Sequence, residues 1–245
     1  FTKAMIGNFL HLISATGADE ILGWYRIDNV TDANTLVLDR VSGTYTLADF
    51  YIGGALSFGT SGAAGDDDVL ELGNGIAGMR FFMKGALTIG EAVSVAAGGS
   101  GATYDVIEGY QTLRGDIPQG ANRPTLNTGT SGFVLAGQWY VYNINATGSA
   151  ANSFGGTGSG TTRFKNCKGK NISTTANRNG FVASTSTKFL LCEGISYRGD
   201  AFDLGSVNTK SIEYCYAHDS NRGITSQGGS ISHFRYNIVA DNVTS

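Results

Sequence analysis

Acidic side chains recur at one place near the C-terminal end of the chain: Asp219 lies four residues after Cys215, and Asp241 lies four after Asn237. If Cys215 and Asn237 mark equivalent points of two neighbouring repeats, the two carboxylates sit about 4.8 Å apart, the spacing of adjacent strands. Paired carboxylates are what glycoside cleavage requires, about 5 Å apart for retention and roughly 6.5–9.5 Å for inversion. Like charges held so closely would also raise the pKa of one of them. Asn171 and Ser196 hold the same place in the two preceding repeats. The plainer reading of polar residues at one register is a hydrogen-bonded turn ladder, and cation binding is a third.

A second candidate catalytic cluster is Arg198-Gly199-Asp200 with Asp203, His218 and Arg222. It offers an acid, a base and a cation of the kind general acid–base work needs, against a plain reading as solvated turn residues. Glu193 and Glu213 fall at different registers and make poor partners, and the three histidines support no Ser-His-Asp order. Aromatic residues near strand ends can stack on sugar rings. Trp139, Tyr142, Tyr214 and Tyr236 are the candidates for glycan or partner contact. The three tyrosines directly precede Asn143, Cys215 and Asn237, so if those residues point inward the tyrosines form an outward column.

What must position these groups is a repeat. Tyr140-Val141-Tyr142-Asn143, Phe164-Lys165-Asn166-Cys167, Phe189-Leu190-Leu191-Cys192, Ile212-Glu213-Tyr214-Cys215 and Phe234-Arg235-Tyr236-Asn237 align, with last residues spaced 24, 25, 23 and 22 apart. A second apolar strand follows in most units, as in Gly180-Phe181-Val182, Ala201-Phe202-Asp203 and Gly223-Ile224-Thr225. Such a period, with short strands and no helical segment, is that of a parallel β-helix coil. Composition agrees: Gly, Ser, Thr and Asn make up 98 of 245 residues, which disfavours helix, while 41% hydrophobic residues are too many for disorder. Cys167, Cys192 and Cys215 then stack as a buried thiol ladder rather than a disulfide or zinc site. The first 58 residues carry longer alternating runs, such as Phe9–Ile13 and Thr35–Asp39, and read as a small antiparallel β cap. The expected architecture is all-β, with a cap over 1–58 and a right-handed parallel β-helix over 59–245.

Several functions are disfavoured. The net charge of −3, with 17 scattered Lys and Arg, leaves no basic stripe for nucleic acid. No apolar run reaches the roughly 18 residues of a spanning helix, so membrane insertion is not expected. Gly73-x-Gly75-x-x-Gly78 leads into Met79–Met83, which reads as a strand, where dinucleotide binding needs a helix. No metal or cofactor is expected. The opening Phe1–Met5 has neither an initiator Met nor a signal core, and the expectation is a chain that begins inside a longer polypeptide.

Gly23-Trp24-Tyr25-Arg26-Ile27, Val30–Arg40, Tyr51–Leu56, Ile107–Tyr110, Arg114–Pro118 and Asn122-Arg123-Pro124 together resemble a group of bacteriophage-encoded right-handed β-helix proteins with a pectate-lyase-like solenoid. The resemblance implies a part of the virion surface, such as a tailspike, fibre or head decoration. It also implies a homo-oligomer, with a trimer favoured, that contacts other virion proteins and bacterial surface polysaccharide. A non-enzymatic structural and glycan-binding role is the leading expectation. A tailspike polysaccharide depolymerase, hydrolase or lyase, is the alternative, and a secreted adhesin or filament subunit a second.

Overall fold

The computed structural model describes residues 1, 6, 9–17, 21–53, 80–83, 85–88, 93–95, 104–112, 116–130, 132–157, 161–183, 186–206, 210–228 and 230–242. Residues 73–78, with the glycine pattern noted above, lie outside these, as does the expected boundary at 58. The chain divides into two compact units, residues 1–56 with Arg80–Phe82, and the remainder.

In the first unit β1 (Phe9–Thr16), β2 (Gly23–Asp32), β3 (Thr35–Leu38) and β4 (Leu47–Gly53) form an antiparallel sheet in the order β3-β2-β1-β4. Alternation puts Leu10, Leu12, Tyr25, Ile27 and Val30 into one core, with Leu36, Leu38 and Tyr45 packed against it. The Arg40 guanidinium lies 4.6 Å above the Tyr25 ring.

The second unit is a parallel β-helix of about six turns, as its period predicts. Among the described residues its one helical element is a single 3-10 turn, Gly120–Asn122. Each coil contributes short strands to three parallel sheets. Sheet 1 includes Asp105–Gly109, Trp139–Tyr142, Thr162–Lys165, Lys188–Leu190, Lys210–Glu213 and Ile231–Arg235. Sheet 2 includes Thr125–Gly129, Asn145–Gly148, Lys168–Asn171, Glu193–Ser196, Tyr216–His218 and Ile238–Val239. Sheet 3 includes Phe133–Ala136, Phe154–Thr157, Phe181–Val182, Asp200–Asp203 and Arg222–Thr225.

Like residues stack because each coil is laid in register on the one before. On sheet 3 Phe133, Phe154, Phe181 and Phe202 form one ladder, and on sheet 1 Phe164 stands in register with Phe189. Phe154 and Phe181 stack at 5.3 Å, Phe181 and Phe202 at 4.9 Å, and Phe164 and Phe189 at 5.5 Å. The opposing positions on sheet 2 are small: Ala146, Gly169, Gly194 and Ala217. A Cβ added to Gly169 would lie 2.8 Å from the Phe181 ring, and one on Gly194 2.6 Å from the Phe202 ring. The large rings thus occupy the space that side chains at these glycines would need.

The corner from sheet 1 to sheet 2 is built by one residue per coil in the left-handed region: Asn143, Asn166, Leu191, Tyr214 and Tyr236, with φ between 53° and 59°. Their amides donate along the axis to the coil above, Asn143 to Lys165 O, Asn166 to Leu190 O, Leu191 to Glu213 O and Tyr214 to Arg235 O. This corrects the sequence alignment of the first coil by one residue. Val141 pairs with Phe164, so Asn143 is a corner residue, and Ile144 is the counterpart of Cys167. The coil spacings are therefore 23, 25, 23 and 22. Cys167, Cys192 and Cys215 follow the corner, buried and free, and burial pushes the Cys192 thiol well above its ordinary pKa.

Asn tolerates left-handed backbone because its short side chain bonds locally, whereas Leu at this conformation costs on the order of 1 kcal/mol. Leu191 is exposed, and its two predecessors in the ladder are asparagines. Leu191→Asn is expected to stabilise the protein by roughly 0.5–1 kcal/mol, read as a higher urea midpoint at unchanged slope.

Candidate functional site

The segment 116–123, between Asp105–Gly109 of sheet 1 and Thr125–Gly129 of sheet 2, closes over the corner ladder at its early coils. Its start is fixed by the Asp116 carboxylate, which accepts from the amides of Gln111 and Thr112 at 3.0 and 2.8 Å. Asn166 Nδ2 donates to Pro118 O at 3.0 Å and to Asn143 Oδ1 at 2.8 Å, and Asn145 Nδ2 donates to Gly120 O at 3.1 Å. Arg123, nine-tenths buried, donates from Nη2 to Asn166 Oδ1 at 2.7 Å and from Nη1 to Asn145 Oδ1 at 3.3 Å.

Beside this segment the corner opens into a groove of about 620 Å³, lined by Arg123, Tyr142, Lys165, Glu193, Tyr214 and Tyr216 among others. The change of corner residue makes it: buried asparagines lie beneath the segment, and exposed Leu191 and Tyr214 follow where it ends. Tyr214 and Tyr236 stack at 4.8 Å, and Tyr216 stacks on His218 at 4.1 Å.

On the outer face of sheet 2 four side chains are linked across coils. Glu193 Oε1 accepts from Lys168 Nζ at 2.7 Å and lies 3.0 Å from His218 Nε2, while His218 Nδ1 lies 2.8 Å from Asp219 Oδ2. Burial alone would push the Glu193 carboxyl up, but the hydrogen bonds and charges of Lys168 and His218 outweigh it and hold the group below its ordinary 4.5. A carboxyl depressed in the folded state contributes stability that is present above 4.5 and is lost as pH falls through the folded value. Glu193→Gln is therefore expected to flatten the loss of stability below about pH 4.5, measured as urea midpoints across an acid series.

Asp219 and Asp241 share a register, both at positive φ, 47° and 51°, at the ends of sheet 2 strands. Asp219 is exposed and turned to His218, and Ser220 takes the inner place, accepting from the Ser196 amide at 2.8 Å. The earlier residues of that register, Asn171 and Ser196, are buried and bonded to the carbonyls of Ala151 and Arg178. Of the second cluster the structure joins Asp200 to Arg222, while His218, on sheet 2, faces Glu193 and Asp219 rather than Asp200 or Asp203 of sheet 3. The Asp200 carboxylate is buried and accepts from Arg222 Nε at 2.6 Å and Nη2 at 3.1 Å, and from Thr225 Oγ1. Asp203 accepts from Asn179 Nδ2 and from the Gly205 amide.

Two aromatic expectations are corrected. Trp139 is fully buried with Val141 and donates from Nε1 to Ala136 O at 2.8 Å, because it shares the inward face of its strand and cannot serve as a surface contact. Tyr142 does not stand in the Tyr214–Tyr236 ladder, since its register partners are Lys165 and Glu108. It borders the groove all the same.

No protein-family model, curated protein or solved structure matches this chain. The geometry of the groove is what remains to argue from. Among the described residues no cluster of three His, Cys, Asp or Glu is placed to hold a metal ion.

Sequence reasoning passed over Arg123, Lys165 and the segment 116–123 as site elements, and set Glu193 aside as a poor partner for Glu213. Arg123 sits outside the repeat, so no periodicity marks it. Arg163, whose guanidinium lies 5.0 and 4.7 Å above the rings of Tyr104 and Tyr140, was missed for the opposite reason, since it occupies an ordinary outward strand position.

Proposed function

We propose that this chain is a β-helical module of a bacteriophage virion surface, a fibre, spike or decoration part, and that it binds bacterial surface glycan in the corner groove. The viral setting, and assembly as a trimer with other virion proteins, rest on the resemblance of the strand-and-turn phrases to those of phage β-helix proteins. The groove carries the binding part of the proposal: tyrosine faces at Tyr142, Tyr214 and Tyr216 lie beside charged and amide side chains on a rigid wall of stacked strands. Apolar ring faces flanked by a few convergent polar groups suit a saccharide, whose C–H face stacks while its hydroxyls hydrogen-bond.

Binding is favoured over cleavage by the setting of Glu193. A glycosidic general acid must keep its proton near neutral pH. Glu193 is held ionised by Lys168 and His218 instead.

The test is a panel of capsular polysaccharides and lipopolysaccharides, read on the same samples for retained saccharide and for new reducing ends. Retention without new ends is expected, with Tyr214→Ala weakening it roughly tenfold. New reducing ends that vanish in Glu193→Gln would make the protein a depolymerase. Retention on no member of the panel would discard the glycan reading.

A further inference from the structure

We propose that the groove selects acidic saccharides, seating a sugar carboxylate against the Arg123 guanidinium. This rests on the glycan-binding reading and adds the chemical class of the ligand.

The Arg123 guanidinium is buried at the groove without a counter-charge bonded to it. A buried guanidinium is costly unless an opposite charge offsets it. The partners of Arg123 are two neutral amide oxygens, those of Asn166 and Asn145. Its Nε is buried without a hydrogen-bond partner. Of the five N–H donors of a guanidinium, two are met here by amide oxygens and none by a carboxylate. Arg222 is paired with Asp200, Lys168 with Glu193 and Arg235 with Glu213, and Arg163 lies over two tyrosine rings; among the described residues the one other buried cation, Lys210, lies away from the groove and has the charge of Asp203 near it.

Arg123 is also held ready. Asn166 uses its amide N–H groups on Pro118 and Asn143, which leaves its oxygen fixed toward the guanidinium. A planar fork with a set orientation is suited to a carboxylate rather than to a diffuse cloud of hydroxyls. The acids that share the groove do not neutralise it. Glu193 is bound by Lys168 and His218, and Glu108 has a partner of its own. Lys165, exposed on the groove wall, adds a second positive charge. The resulting site is an aromatic trough with a buried cation at one side, the complement of a hexuronate or of a pyruvate-ketal sugar.

Capsular polysaccharides containing hexuronate or pyruvate ketal, each beside its chemically carboxyl-reduced form, provide the probe, with affinity measured by calorimetry on the intact chain. Reduction of the carboxyl is expected to weaken binding roughly ten- to a hundredfold. Arg123→Gln is expected to lose as much on the native polymer and nothing further on the reduced one. Should Arg123→Gln fail to fold, Lys165→Gln, an exposed substitution, is expected to weaken native polymer alone and to lower the salt dependence of binding. Equal affinity for both forms, with Tyr214→Ala still weakening each, would overturn the carboxylate assignment and leave the glycan groove standing. Binding of neither form, or binding indifferent to Tyr214→Ala, would overturn both.

Discussion

Phe181→Ala is expected to lower the unfolding free energy by about 3–5 kcal/mol, the range for deleting a large buried ring from a core that cannot collapse. The ring is fully buried and has neighbours in every direction. Phe154 and Phe202 stack on its two faces at 5.3 and 4.9 Å, while Phe164 and Phe189 meet it edge-on at 5.5 and 5.3 Å. Nothing opposite can move in, because the facing position is Gly169, which has no side chain to swing into the void. The strand that bears it, Phe181–Val182, has only two residues, so the ring is also much of what holds that strand in sheet 3. Urea denaturation followed by circular dichroism would report a lower midpoint. A loss under about 1 kcal/mol would mean that the adjoining rings close the gap, contrary to the packing described.

Arg222→Ala is expected to cost about 3 kcal/mol, although the arginine side chain is more than half exposed. The cost arises at its partner. Asp200 has a side chain only 2% exposed, and without the guanidinium fork its carboxylate keeps Thr225 as its sole side-chain donor. Removing a cation from a buried anion leaves the anion's desolvation unbalanced. Arg222→Lys retains the charge but not the two-point fork, and falls between wild type and alanine. The decisive comparison is the double variant Asp200→Asn with Arg222→Ala. It should recover much of the loss, because a buried amide needs no counter-charge. If the two single losses simply add, the interpretation as a coupled pair is wrong.

Much of this fold is written in the sequence because a β-helix repeats its chemistry once per coil. Cys167, Cys192 and Cys215 show the coil length directly, each being the first inward residue after a corner. The first coil is misread by one residue because Asn serves two purposes in this chain. Asn143 is an outer corner residue suited to left-handed backbone, while Asn237 occupies the inward ladder and donates to Ile212 O. Residue type alone does not separate them; only the pairing of Val141 with Phe164 does. Trp139 was misjudged for a related reason, since a bulky aromatic at a strand's first position can lie on either face until the strand's phase is known. Asp219 and Asp241 were placed correctly in register, but register fixes where a Cα lies and not where its carboxylate turns. Arg123 leaves no trace in the period, because its environment comes from two coils and a connecting segment at once.

The corner ladder keeps scaffold and display apart. Its geometry is maintained by backbone hydrogen bonds between successive coils, which are indifferent to the side chain each corner carries. Asn, Asn, Leu, Tyr and Tyr all occupy it with nearly the same φ. Where the corner is exposed, at Leu191, Tyr214 and Tyr236, a lineage carrying this fold can therefore rewrite the outward character of one coil at a time without disturbing the phenylalanine interior. Adaptation to a new surface would then proceed by single substitutions along a fixed rail, each tested separately and each reversible.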